Sequence, residues 1–418
     1  MKLSPARLSG TVAAIPSKSA AHRLFIAASL ADRASSWTLP SSSVDIDTTL
    51  ACMAALGADV QRDGARVGIT PIRTAASQAT IDCQESGSTL RFLLPVAAAL
   101  GGRYDFLGRG RLPERPIADF LEVIEGLGAR TTAHKLPLSI AGPLHGGTAA
   151  LPGHVSSQYL TGLLLAAPLL DGALDIQLTT PLQSRPYIDL TLDVLRQFGI
   201  DVTTSDDHFH VDANARYQLP DRALAIEGDW SNACFFLAAG AISAPVTVTG
   251  LRLDSCQGDK AVLDILRRFG AEVRITAGGI TVAPGDLTAQ EISMKEIPDA
   301  LPILAVVAAQ AQGTTVFTDI ERLRLKESDR IATTSALLEA MGVHTESDTS
   351  TMRVTGAPTL CGGATVDSAG DHRIAMAAAI AALNADAPIT LTGAAAVSKS
   401  YPHFFEDYAS LGGDTLGI

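Results

Sequence analysis

The sequence is poor in charge, in aromatic residues, in cysteine and in long apolar runs. Charged residues make up 18% of the 418 and aromatic residues 5%, while 47% are hydrophobic. That apolar share is ordinary for a globular protein and excludes a disordered chain, a coiled coil or a collagen-like polymer. Positive charge is scarce as well: 32 Lys and Arg face 44 Asp and Glu, a net charge of −12. Such a chain is not built to coat nucleic acid or an anionic membrane, so any site for an anionic substrate must concentrate cations locally. The five cysteines (Cys52, Cys83, Cys234, Cys256, Cys361) are scattered, with no CxxC and no Cys/His cluster. Neither a metal site nor a disulfide framework is expected, and a reducing cytoplasm is the expected home. Met1-Lys2-Leu3-Ser4-Pro5 lacks the apolar core of a signal peptide. The longest apolar runs, such as Tyr159 to Leu170, fall short of the roughly 20 residues that span a bilayer and read as buried helix. Also missing are GxSxG, HExxH, a Walker loop and GxGxxG behind a strand, which disfavours a kinase or a nucleotide-dependent dehydrogenase.

What is present is a repeat. A phrase of apolar residues closing on apolar-Gly-small recurs six times, with its glycines at Gly57, Gly128, Gly199, Gly270, Gly342 and Gly412. The spacings are 71, 71, 71, 72 and 70 residues. Each glycine ends a stretch of helical periodicity, as in Thr191, Leu192, Val194, Leu195 and Phe198, where a left-handed C-cap is wanted. Alternating sequence follows, for example Ala271 to Ile275, a turn at Gly278-Gly279, then Ile280 to Val282. A second helix in each copy begins near His22, Ser88, Ser157, Ser231, Leu301 and His372 and is apolar around most of its circumference, so it should be buried. Each copy therefore reads strand, buried helix, strand, surface-facing helix, strand, strand. One doubly wound sheet would need long, near-continuous apolar strands; the strands here alternate. Helices inside and strands outside fit better. Periodicity alone does not choose between one solenoid and two groups of three.

Polar residues gather at the starts of the buried helices: Pro16 to Arg23, Glu85 to Arg91, Ser156 to Tyr159, Glu227 to Asn232, Pro298 to Ala300 and Gly370 to Arg373. Any one Ser or Asp there is an ordinary N-cap. Six such starts, several carrying Lys or Arg, offer free backbone N–H groups and positive charge to an anion. The loops before the other helices are polar too: Gly110 to Pro116, Gln183 to Tyr187, Arg322 to Arg330 and Ser398 to Tyr401. Lys326 and Arg330 are four apart, so on a helix they would share a face, and two cations there repel unless an anion or carboxylate lies between them. From residues alone the chain reads as an enzyme that binds small, multiply anionic molecules.

These motifs resemble those of the 5-enolpyruvylshikimate-3-phosphate synthase family of enolpyruvyl transferases, along essentially the whole chain and in family order. They are PSKSAAHR at Pro16, ESGSTLR at Glu85, LPERP at Leu112, SSQYLTGLLLAAPL at Ser156 and SRPYIDLTL at Ser184. EGDWSNACFFLAA at Glu227, PDALPILAVVAA at Pro298, LKESDRI at Leu325, GDHRIAMA at Gly370 and KSYPHFFE at Lys399 follow. The resemblance implies a two-domain inside-out α/β barrel of six βαβαββ repeats, three per domain. The chain would cross twice, giving a discontinuous domain of residues 1–14 and 226–418 and a continuous domain of 15–225, with the active site in the interdomain cleft and closure on ligand binding. It implies transfer of the enolpyruvyl group of phosphoenolpyruvate to the 5-hydroxyl of shikimate 3-phosphate, with release of phosphate. No metal or organic cofactor, no nucleic acid and no membrane are expected, and the protein should be a cytoplasmic monomer.

By the same resemblance, Lys18, Ser19, Arg23, Ser156, Ser157, Gln158, Ser184, Asp299 and Lys326 hold shikimate 3-phosphate. Lys18, Gly87, Arg115, Gln158, Arg330, Arg373 and Lys399 form the phosphoenolpyruvate site. Asp299 is the base toward the 5-hydroxyl and Glu327 the donor to the methylene, assisted by Lys18. Gly87 leaves room for glyphosate, as in sensitive members. The sequence departs from the commonest pattern at Glu85, Ser88 and Phe92, at His22 where Asn is common, and at Arg322 where some members place Asn. The related UDP-N-acetylglucosamine enolpyruvyl transferases mostly carry a reactive Cys on the loop before an Arg-Pro pair. The matching loop, Gly108 to Pro116, has none. A catalytically silent scaffold would have lost charged residues that are all kept here.

Overall fold

In the computed structural model, which describes residues 1–416, the chain forms two compact units, Met1–Ser17 with Glu227–Ile418, and Lys18–Ile226. Each carries three small sheets. In the discontinuous unit the sheets gather Glu272–Thr276, Gly279–Ala283, Val246–Thr249 and Gly10–Ala13; Glu291–Ser293, Thr314–Thr318, Thr351–Thr355 and His344–Ser347; and Thr365–Asp367, Ile389–Thr392, Lys2–Ser4 and Asp414–Leu416, each in that spatial order. The continuous unit has two four-stranded sheets of the same plan and one of three strands.

The repeat is visible in the pairing. The strands flanking a buried helix pair in parallel: Gln78–Asp82 with Arg103–Leu107, Gly147–Pro152 with Leu174–Thr180, Glu291–Ser293 with Thr314–Thr318, and Thr365–Asp367 with Ile389–Thr392. A parallel pair needs a crossover, and the buried helix supplies it. The closing hairpin of each repeat pairs antiparallel, as in Glu272–Thr276 with Gly279–Ala283.

The helices Lys18–Leu30, Gly87–Leu100, Ser157–Ala166, Trp230–Ile242, Leu301–Ala308 and His372–Ala381 are the apolar ones, and nearly every residue in them is buried. In the discontinuous unit the last three pack on one another and, with the inner faces of the strands, form one hydrophobic core. In the continuous unit Gly87–Leu100 and Ser157–Ala166 lie in close contact because Gly162 has no side chain. A Cβ there would come 2.3 Å from the carbonyl oxygen of Arg91. The six spaced glycines all have left-handed backbone, with φ from 77° to 119°. Gly270 shows why: its N–H closes the helix Val262–Phe269 and its φ is 115°, a conformation open to glycine at no steric cost.

The first repeat corrects the sequence expectation. Its sheet has only three strands, Ser35–Thr38, Arg66–Thr70 and Asp59–Asp63. Gly10–Ala13, which precedes this repeat in the chain and lies in the stretch that the resemblance assigned to the discontinuous domain, pairs in parallel with Val246–Thr249 of the fourth repeat. Lys2–Ser4 likewise completes the sixth, between Ile389–Thr392 and Asp414–Leu416. Backbone groups on a strand must pair somewhere, and local hydrophobic pattern does not say with which sheet. Among the described residues no helix is long and apolar enough to cross a membrane.

Candidate active site

In the discontinuous unit the charged residues converge on one guanidinium. Arg330, 1% exposed, opens the helix Arg330–Ala340, whose N-cap is Asp329. It donates to three carboxylates: Nη1 to Asp299 at 2.6 Å, Nη2 to Glu327 at 2.7 Å and Nε to Asp371 at 3.0 Å. Asp299 comes from the single 3-10 turn Pro298–Ala300 ahead of Leu301–Ala308. Asp371 caps His372–Ala381 by accepting from the backbone N–H of Arg373, and also accepts from the hydroxyl of Ser328. Charge-assisted, multidentate contacts of this kind fix a planar guanidinium firmly.

Asp299 is the hub of the cluster. One carboxylate oxygen meets Arg330 and, at 3.4 Å, the ammonium of Lys326; the other accepts from Arg373 at 3.2 Å. Burial alone would raise its pKa, but Arg373, Lys326 and Arg330 together hold it well below the ordinary carboxylate range. Asp371 follows the same logic, burial being overcome chiefly by Arg330 and then His372. Burial lowers the pKa of Lys326, against the pull of Asp299. Lys399 donates to the carbonyl of Gly370 at 2.7 Å, directly beside Asp371.

The structure corrects the geometry expected of Lys326 and Arg330. They do not lie on one helix face. Lys326 ends the 3-10 turn Glu321–Leu325, and Asp329 caps a helix that begins only at Arg330. The carboxylate required between the two cations is nevertheless there, and it is Asp299.

The continuous unit holds a second group. Lys18, at the start of Lys18–Leu30, pairs with Asp45 at 2.8 Å. One turn on, the buried guanidinium of Arg23 donates to four neutral oxygens: Ser19 O at 2.7 Å, Thr191 Oγ1 at 2.8 Å, Tyr187 O at 3.1 Å and Thr161 Oγ1 at 3.5 Å. Its pKa is pulled down to about 9 by burial, as expected where a cation has lost water.

Gly87 lies where two more guanidiniums meet. A Cβ on it would lie 2.6 Å from Arg115 Nη1 and 2.7 Å from Arg91 Nη1. Arg91 donates to Gln158 at 3.2 Å and to the carbonyl of Pro116 at 3.2 Å, and Gln158 donates to Ser88 at 3.0 Å. Ser156 caps Ser157–Ala166 by accepting from Gln158 N, so Ser157 and Gln158 occupy its first turn. Ser184 precedes Arg185–Gln197 with φ 56°, a left-handed backbone unusual outside glycine. Such strain often marks a position fixed by more than local preference.

The expected site residues thus fall into two sets. Asp299, Lys326, Glu327, Arg330, Arg373 and Lys399 belong to the discontinuous unit. Lys18, Ser19, Arg23, Gly87, Arg115, Ser156, Ser157, Gln158 and Ser184 belong to the continuous one. The sequence reading passed over Asp371, Arg91, Asp45 and the hydroxyls of Thr161 and Thr191. Arg91 had a signal, since it sits four residues after Gly87 on the same helix. Asp371 was masked by its role as N-cap. Asp45 lies in a stretch with no motif, whereas Thr161 and Thr191 sit inside SSQYLTGLLLAAPL and SRPYIDLTL but carry no charge to mark them.

A repeat-built α/β fold with buried arginines and a carboxylate hub defines an enzyme that handles small polyanions. The model of the family described as EPSP synthase (3-phosphoshikimate 1-carboxyvinyltransferase) matches residues 3–408. A 3-phosphoshikimate 1-carboxyvinyltransferase of Halobacterium salinarum is 39% identical, over 99% of both chains. One of Clostridium kluyveri is 38% identical over 99% of this chain and 97% of its own. Among solved structures, an EPSP synthase of Acinetobacter baumannii superposes with a TM-score of 0.81 at 25% identity, covering 98% of each chain. The chain belongs to the EPSP synthase family.

Proposed function

We infer that residues of both units serve one reaction: transfer of the enolpyruvyl group of phosphoenolpyruvate to the 5-hydroxyl of shikimate 3-phosphate, giving 5-enolpyruvylshikimate 3-phosphate and phosphate. Family membership supports the reaction. The observation that carries the residue roles is the carboxylate of Asp299 held among Arg330, Arg373 and Lys326, with Glu327 on the same guanidinium.

Arg23, Ser19, Ser156, Ser157, Gln158 and Ser184, with Lys326, bind shikimate 3-phosphate. Arg23 suits this because its hydrogen bonds go to neutral oxygens, so an anion gains the full attraction of a desolvated charge. Gly87, Arg115, Gln158, Arg330, Arg373 and Lys399 serve phosphoenolpyruvate, with Lys18 reaching both substrates. An incoming phosphate or carboxylate competes with Asp299 for Arg330 and Arg373. As their hold loosens, the basicity of Asp299 rises toward what removing the hydroxyl proton requires. The 5-hydroxyl oxygen then attacks the enol carbon while Glu327, assisted by Lys18, protonates the methylene. The tetrahedral intermediate expels phosphate as the methyl group returns a proton. Phosphoenolpyruvate is already activated, so the enzyme needs no metal or organic cofactor, and it works as a cytoplasmic monomer.

The test is phosphate release with phosphoenolpyruvate and shikimate 3-phosphate, beside a tube with UDP-N-acetylglucosamine as acceptor. Release in the first tube alone is expected. Asp299→Asn should lower kcat at least a hundredfold, as loss of a general base does. Near-normal turnover by that variant would remove Asp299 from the role.

A further inference from the structure

The continuous unit places its two buried arginines on aromatic faces. Arg91 Cζ lies 5.8 Å from the ring centre of Tyr159, which itself stacks on Phe120 at 4.5 Å. Arg23 Cζ lies closer, 4.9 Å from the centre of Phe92. Phe92 is fully buried on Gly87–Leu100, and the imidazole of His22 meets it edge-on at 6.3 Å and 88°. His22 is in turn fixed by a buried hydrogen-bond chain. Its Nδ1 lies 2.6 Å from Thr49 Oγ1, Thr49 lies 2.7 Å from Thr89, and Thr89 donates to Ser86 at 2.8 Å. The chain thus ties His22 on Lys18–Leu30, by way of Thr49, to the first turn of Gly87–Leu100, and holds its imidazole against Phe92, the ring that carries Arg23.

We propose that Phe92 is a positioning residue for the acceptor substrate, its ring face holding the desolvated guanidinium of Arg23 in place for an anionic group, with His22 bracing the ring. The proposal rests on the assignment of Arg23 to shikimate 3-phosphate. A guanidinium whose hydrogen bonds go to neutral oxygens gains little charge compensation from them. An aromatic quadrupole attracts it without supplying a carboxylate that would compete with the ligand. An Asp or Glu in place of Phe92 would neutralise Arg23 and weaken the site; an aliphatic residue would fill the space and leave the charge unsupported. Arg23 itself binds; Phe92 acts through it.

The experiment compares Phe92→Leu, Phe92→Met and Phe92→Tyr in the phosphate-release assay, with shikimate 3-phosphate binding followed by calorimetry and folding checked by thermal melting. Leu and Met remove the ring face, and Tyr keeps it. The expected result is a Kd and KM for shikimate 3-phosphate raised about tenfold in the Leu and Met variants. Their kcat and their KM for phosphoenolpyruvate should stay within about twofold of the parent, and Tyr should restore the parent values. Equal behaviour of all three variants would overturn the proposal, and so would a parallel loss in kcat and both KM values, the mark of general damage. If Leu fails to fold, the Met and Tyr pair decides the same question. If neither of those folds, Phe92 serves the fold rather than Arg23 and the proposal falls. A parent protein that neither binds nor converts shikimate 3-phosphate would overturn the functional assignment instead.

Discussion

Replacing Asp371 by Ala strikes the cluster at a buried carboxylate with two separable duties. Asp371 is fully buried, caps His372–Ala381 and pairs with Arg330 Nε at 3.0 Å. Losing an N-cap costs about 1 kcal/mol. Breaking a buried pair while leaving its partner charged costs roughly 3 kcal/mol or somewhat more, here tempered because Asp299 and Glu327 still hold Arg330. The sum, about 4 kcal/mol, corresponds to a fall in Tm of roughly 10 °C for a unit of this size. Asp371→Asn keeps an acceptor for the cap and should lose about 3 kcal/mol. The pH dependence separates the two duties. Arg330, then His372, overcome burial and hold Asp371 below its ordinary value. A depressed folded pKa gives stability that is fully present above the unfolded value near ~4 and is lost as pH falls through the folded value. The gap between the parent and Asp371→Asn should therefore be flat from about pH 5 to 8 and close only below about pH 4. Denaturant unfolding across that range, with both variants, is the assay. A loss below about 1 kcal/mol for Asp371→Ala would mean that the cap alone matters and that Arg330 does not depend on this carboxylate.

Three further outcomes are expected. Gly87→Ala puts a methyl against Arg115 and Arg91, so KM for phosphoenolpyruvate should rise about tenfold, equivalent to about 1.4 kcal/mol; an unchanged KM in initial-rate assays would show that the guanidiniums step aside freely. Gly162→Val meets the backbone carbonyl of Arg91, which cannot swing away as a side chain can, so melting should reveal a loss of about 2–3 kcal/mol; a neutral effect would disprove the close helix contact. His22 is held neutral, its pKa lowered well below the ordinary value by burial and then by Lys18 and Arg23. The unfolded chain binds that proton below about pH 6.5, so stability is fully present above that pH and lost below it by up to about 1.4 kcal/mol per unit. His22→Gln should flatten this slope between pH 7 and 5, and parallel slopes would contradict the reading.

The repeat was legible because a glycine C-cap is a local demand. Gly57, Gly128, Gly199, Gly270, Gly342 and Gly412 each need only the turn they end, and all six have the expected positive φ. The buried helices were legible for a similar reason: Leu301–Ala308 is apolar on every side, and such a helix has no stable place but a core. The kinds of site residue could also be read, since binding two anionic substrates demands Lys and Arg and proton transfer demands carboxylates.

Partnership was not legible. Gly10–Ala13 lies in the stretch that the family resemblance placed in the discontinuous domain, but its own residues do not name Val246–Thr249 as its partner. Lys326 and Arg330 have helical spacing, yet Asp329 caps the helix between them and Asp299, from the start of the buried helix of the same repeat, supplies the carboxylate that links them. Arg23 finds Thr191 168 residues away, and its ring partner Phe92 sits on another helix. Composition, period and capping depend on neighbours along the chain, so the sequence by itself determined the repeats, the buried helices and the chemical types gathered at their starts. Which carboxylate holds which guanidinium, and how far each pKa moves, depends on distance and on lost water. Only the tertiary structure decides those.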